Sequence, residues 1–173
     1  MPRFGTRGRT LHFSGMKEFD RLPSDLLRAL SGEAFRRRRR LVLPLLTADA
    51  GGFPRAALLT PGEVRANSPT ELAVAVLATS RTAVNLIRRR RATLLYLHPA
   101  MTATVQARAG RGRVCPRDPE RHLFPLVVHR VRIDQPPPRE GDVRLLAGPT
   151  FTGGDPEKLF HRDLFDDLAS VRA

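Results

Sequence analysis

Hydroxyl, guanidinium and carboxamide side chains gather in one short run of the chain, Thr79-Ser80-Arg81-Thr82-Ala83-Val84-Asn85. A short side-chain oxygen suits a helix N-cap because it accepts a bond from a free amide of the first turn, and Thr79 and Ser80 both qualify. The other free amides and the helix dipole point the same way, so a helix starting here attracts anions, phosphate above all. Arg81 adds a full charge at that start. Elsewhere the residues capable of chemistry are scattered. His12, His98, His122, His129 and His161 form no chelating pair at helical spacing, and His129, in an apolar strand pattern, reads as a core histidine. Cys115 has no second cysteine to pair with and reads as a small buried or half-buried side chain at a strand end. The sequence contains no Gly-rich phosphate loop, no paired-cysteine motif and no His-Glu-x-x-His. P-loop hydrolysis and a zinc site are therefore disfavoured, and neither metal ligands nor a catalytic acid or base can be assigned.

The elements around this run are mostly strands. Leu72, Val74 and Val76 alternate with alanines and predict a strand to Ala78; Ala83, Leu86 and Ile87 then show helical spacing before Arg88 to Arg91, and Thr93 to Leu97 is β-rich again. Upstream, Leu41 to Ala48 predicts a strand in which Pro44 demands an edge or a bulge. Asp49-Ala50-Gly51-Gly52 predicts a hairpin turn, and Phe53 to Thr60 the returning strand. Val64 to Ala66 begins a third strand that Asn67-Ser68-Pro69 interrupts before Leu72 resumes it. Downstream come Met101 to Val114, bent at Gly110 and Gly112, and His122 to Ile133, with Val127, His129, Val131 and Ile133 expected on one face. Helices are predicted from Ser24, with Leu26, Leu27, Leu30 and Ala34 on one side, and after an Asp155 cap, with Pro156 first and Phe160, Leu164, Leu168 and Val171 as its apolar stripe. The 173 residues fit one domain. Its expected parts are a basic arm and helix (1–40), a β-barrel core (41–135), and a linker through Pro136-Pro137-Pro138 leading to a helix packed on the barrel or a partner subunit (136–173).

The net charge of +13 comes almost wholly from arginine, since Lys17 and Lys158 are the only lysines. Such a surface attracts phosphates, nucleotides and nucleic acid at low salt. The runs Arg36–Arg40 and Arg88–Arg91 read first as solvated helix ends and second as nucleic-acid patches, because no aromatic residue lies among them to stack on bases. No apolar stretch reaches the roughly 20 residues of a membrane span, and the opening residues carry no apolar signal core. A cytoplasmic protein is the expectation.

Ser80-Arg81-Thr82-Ala83-Val84-Asn85-Leu86, followed by a basic turn and a strand, resembles the S-x-K-x-x-N-L signature of the FMN-binding split barrels, the pyridoxamine 5'-phosphate oxidase-like family. Upstream, the apolar strand from Leu41, then Thr47-Ala48-Asp49-Ala50-Gly51-Gly52-Phe53-Pro54-Arg55, is similar to that family's opening hairpin. The matches run from about Leu41 to Val114, and their order and spacing carry the resemblance. It implies a mainly β fold, a six-stranded antiparallel split barrel with flanking helices. It also implies a homodimer holding FMN in two clefts between subunits, and hydride transfer through the flavin by an FMN-dependent oxidoreductase. The cofactor site would comprise Arg55, Thr79, Ser80, Arg81, Thr82 and Asn85, the last fixing the short helix. Asp142 to Phe151 stands where such barrels place a segment covering the flavin. The chain departs from the pattern at Thr82 and Thr60, where lysine or arginine is usual, and it lacks the true oxidase's C-terminal substrate signature. Two other readings follow: a flavin-free, non-enzymatic relative binding another anion such as a haem propionate or a deazaflavin phosphate, and a basic nucleic-acid-binding barrel.

Overall fold

A computed structural model of the chain describes residues 16–32, 40–99, 101–134, 145–153 and 162–173. The expected N-terminal arm, Arg36–Arg39, the Pro136–Pro138 linker and the Asp155–Phe160 start of the last helix lie outside these residues. The described residues form one curled antiparallel sheet with three short α-helices. Its strands are β1 (Met16–Phe19), β2 (Leu43–Ala48), β3 (Pro54–Leu59), β4 (Val64–Ser68), β5 (Glu71–Leu77), β6 (Arg91–His98), β7 (Met101–Ala109), β8 (Arg113–Val114) and β9 (Arg121–Asp134). The helices are α1 (Ser24–Leu30), α2 (Arg81–Arg89) and α3 (Arg162–Leu168), and Pro61–Glu63 is a single 3-10 turn. The strand order is β3-β2-β6-β7-β9-β5-β4, with β1 and β8 also paired to β9.

β9 is the spine of this sheet. Along one edge it pairs with β5 and then β1, along the other with β8 and then β7. Between β8 and β7 the ladder is broken opposite Phe124 and Pro125, where the proline has no amide to give. The neighbouring chain bends there through Gly110 to Gly112, and the Gly110 amide donates to the Pro125 carbonyl at 2.8 Å. A Cβ on Gly110 would sit 2.8 Å from the Pro125 ring, and one on Gly112 would overlap the fully buried Phe124 ring.

The alternation seen in the sequence positions the core. Leu72, Val74 and Val76 of β5 face the barrel interior with Leu43, Leu45, Leu94, Val105 and Phe124. Ala73 and Ala75 face the other side, under Leu164, Leu168 and Val171. Alanine there lets α3 approach the sheet closely, so β5 is buried on both faces. Asn67 fixes the end of that helix, its side-chain amide donating to the carbonyls of Leu168 and Val171, each at 2.9 Å. Cys115 is buried in the same cluster, its thiol 3.5 Å from the Asp167 carboxylate. Pro44 lies inside β2, between β3 and β6, yet the ladder to β6 stops at Leu45, the residue after the proline.

Two expected features differ. The third strand is a hairpin, because Pro69 and Thr70 turn the chain and β4 pairs antiparallel with β5. This split, with the short β1 and β8, gives nine strands where six were expected. In β9 the one-face pattern fails at His129: Gln106 pairs with Arg130 and Ala107 with Val128, leaving His129 as a bulge. A bulge shifts the alternation by one residue. Val131 and Ile133 are therefore buried, while Val127 and His129 are exposed and Leu126 and Val128 point inward. His129 is a surface residue, not a core histidine.

Gly112→Ala tests the bend. Overpacking against Phe124 costs about 1–3 kcal/mol. The thermal midpoint followed by circular dichroism is expected to fall by several degrees, and an unchanged midpoint would show that the ring has room to move.

Candidate functional site

α2 begins where the sequence places its cap. Ser80 is extended, and its Oγ accepts the Ala83 amide at 3.1 Å. The Val84 amide bonds the Ser80 carbonyl at 3.2 Å. Arg81, the first helical residue, is exposed, and so is Thr79 just before it. At its other end α2 stops at Arg90, which takes the left-handed conformation at φ 53°. The helix packs against β2, β3, β5 and β6.

One face of α2 is buried and partly polar. Thr47, Thr82 and Asn85 are the buried polar or charged residues among those described. The Asn85 Nδ2 donates to the Thr47 Oγ1 at 3.0 Å, joining the middle of α2 to β2. Thr82 stands one turn before Asn85 on the same helix face. Both therefore point into the subunit.

Arg55 is opposite Thr47 in the β2–β3 ladder, and cross-strand partners share a face. It therefore rises on the side of the sheet that α2 covers, exposed at the rim of β3. Four residues separate Arg81 from Asn85, about 6 Å of helix axis. Arg55 and Arg81 thus present two guanidinium groups on one side of the barrel, and neither has an ion pair among the described residues. Thr60 does not join them. Its amide and hydroxyl both bond the Glu63 carboxylate, at 2.8 and 3.1 Å, and Glu63 is paired with Arg121.

The structure thus exposes Thr79 and Arg81 at the start of α2, with Ser80 half-buried as its cap, exposes Arg55 on β3 opposite Thr47, and turns Thr82 and Asn85 inward. Thr47 was not among the residues expected at the site. Its signal was the inward register of Leu43, Leu45 and Thr47, a hydroxyl where the alternation calls for an apolar side chain. An apolar recess lined by Leu30, Leu41, Leu43, Val64, Tyr96 and Phe165 among others shares no residue with this set.

The curled antiparallel sheet with a short capped helix between β5 and β6 is a split barrel, the fold of the pyridoxamine 5'-phosphate oxidase-like proteins. No protein-family model matches the sequence, and no curated protein matches it. Among solved structures, a provisionally assigned pyridoxamine 5'-phosphate oxidase from Lactobacillus delbrueckii superposes with a TM-score of 0.53 at 16% identity, covering 68% of this chain and 98% of its own. The HupZ protein of Group A Streptococcus gives 0.49 at 11% identity, over 76% of this chain and 100% of its own. An FMN-binding protein of Syntrophomonas wolfei gives 0.46 at 10% identity, over 60% of this chain and 85% of its own. The first of these likenesses, at 16% identity, bears on the fold alone.

Asn85→Ala tests how α2 is anchored. Leaving a buried hydroxyl without its partner costs about 1–3 kcal/mol. The urea midpoint is expected to fall at unchanged m-value, and a midpoint within error of wild type would remove the hydrogen bond from the account.

Proposed function

We propose that the chain is a flavin-binding split-barrel protein, an FMN-dependent oxidoreductase that holds the cofactor phosphate at the start of α2. The observation that carries this reading is the capped start of α2 with Arg81 exposed there, together with Arg55 exposed on the strand beneath the helix, neither with an acidic partner among the described residues. The fold adds support by analogy only, because one fold serves many activities. The donor set fits a phosphate monoester. Arg81 and Arg55 supply charge-assisted hydrogen bonds, roughly twice as strong as neutral ones. The Arg81 and Thr82 amides stand in the first turn, and the Thr79 hydroxyl is exposed beside them. Charge that lysines would bring at positions 60 and 82 comes here from these arginines.

Ser80 serves the ligand indirectly, by holding the first turn with its cap. Thr82 and Asn85 serve it from inside, fixing the helix on β2. When bound, FMN supplies hydride transfer through its ring. A second copy of the chain fits against β3, the end strand of the sheet order, whose Phe53 and Leu58 flank are 72% and 60% exposed. The same donors suit a deazaflavin phosphate, and absorbance distinguishes the two.

The test is the visible spectrum of purified protein incubated with FMN and passed through gel filtration. Flavin bands that co-elute with the protein, and that weaken in Arg81→Ala and Arg55→Ala, are expected. A colourless protein that FMN cannot load would overturn the reading.

A further inference from the structure

Acidic and basic side chains are unevenly mixed on this surface. Arg65 and Arg117 pair with the acids of α3, Arg121 with Glu63 and Asp118, and Arg130 and Arg132 with Glu18. A second group behaves differently. Arg88, Arg90, Arg91, Arg108 and Arg111 are all exposed, and none forms an ion pair among the described residues. The topology collects them at one place. Arg91 stands directly opposite Arg108 in the β6–β7 ladder, and the Ala109 amide donates to the Arg90 carbonyl at 3.1 Å. Arg88 is in the last turn of α2, and Arg111 lies two residues past β7. Between them Arg89 reaches the Ala50 carbonyl at 3.0 Å. The acid of that turn, Asp49, is committed to the Gly51 and Phe53 amides.

Helix electrostatics accounts for part of this group only. Arg88, Arg89 and Arg90 gain from the negative end of the α2 dipole. Arg108 and Arg111 belong to a strand and the bend after it, so no helix of their own favours arginine at those positions. Like charges directly opposite in a ladder destabilise it, and Arg91 and Arg108 are so placed. Arg90 takes a helix-ending left-handed conformation that glycine usually fills. The fold thus bears repulsion and backbone strain to keep guanidinium groups here. A row of phosphates offsets the repulsion, and arginine's planar fork matches phosphate oxygens in pairs.

We propose that the surface formed by the end of α2, the start of β6 and the end of β7 binds the phosphodiester backbone of nucleic acid without base preference. It lies at the other end of α2 from Arg81, nine residues or about 13 Å of axis away.

The experiment is fluorescence anisotropy of a labelled 20-base-pair DNA duplex of mixed sequence, titrated over a range of salt. Wild type is compared with Arg91→Gln/Arg108→Gln and with Arg130→Gln/Arg132→Gln, which removes the same charge from paired arginines. Losing two backbone contacts should weaken low-salt binding by about tenfold or more and reduce the slope of log affinity against log salt by about 1.8. The control double variant should keep the wild-type slope, and Arg91→Lys/Arg108→Lys should retain most of it. All four are checked for an unchanged unfolding midpoint, and Arg88→Gln/Arg111→Gln, which removes two exposed charges of the same group from outside the ladder, carries the comparison if the first glutamine variant unfolds. Equal weakening in the two glutamine variants would reduce the effect to net charge and overturn the proposal. So would absent duplex binding at low salt, or binding to phosphatidylserine vesicles in place of DNA.

Discussion

The hydrogen bond from the Asn85 carboxamide to the Thr47 hydroxyl pins α2, the helix that spans the open side of the curled sheet, to β2. β5 and β6 are consecutive in the chain, but in the sheet β9 and β7 lie between them. The link between them is α2, which crosses the open side and touches β2 and β3 from one end of the strand order and β5 from the other. Leu86 and Ala83 give that crossing an apolar underside, which alone would tolerate sliding along the barrel. A directed bond in a dry place fixes the register, because misplacement leaves two buried polar groups unpaired. The position of Arg81, the Ser80 cap and the free amides all follow from where that bond holds the helix.

A second constraint comes from β5 itself. Its Leu72, Val74 and Val76 face the barrel and its alanines face α3, so the strand that leads into α2 is held from both sides. Asn67 holds the far end of α3, and Arg65 adds a stacking contact 4.4 Å over the Phe165 ring. The acids of α3 pair with Arg65 and Arg117, whereas the arginines around α2 have no acidic partner among the described residues. One arrangement of charge therefore supports both the anion-binding edge and the basic surface at the opposite end of the helix.

Much of this was legible in the sequence where the signal is local. The alternation from Leu72 to Val76, the cap at Ser80 and the glycines at 51 and 52 each act within a few residues. What was not legible depends on contacts distant in the chain. The 38-residue separation of Asn85 from Thr47 hides their bond, so the sequence shows neither the partner of Asn85 nor the burial of Thr82. The His129 bulge arises from the register of β9 against β7, which no single strand reveals. Asn67-Ser68-Pro69 reads as an interruption because a turn and a kink use the same residue types. Only the pairing of Val64 with Val74 shows that the chain reverses.

The central claim is that the phosphate, held at the start of α2, fixes the cofactor. Titration of the purified protein with FMN and with riboflavin, followed by quenching of flavin fluorescence, tests it most directly, since the two ligands differ only in that group. Each charged hydrogen bond contributes about 1.5–3 kcal/mol, so FMN should bind at least about tenfold more tightly, with Arg81→Ala narrowing the gap. Equal affinity for the two ligands would contradict the account.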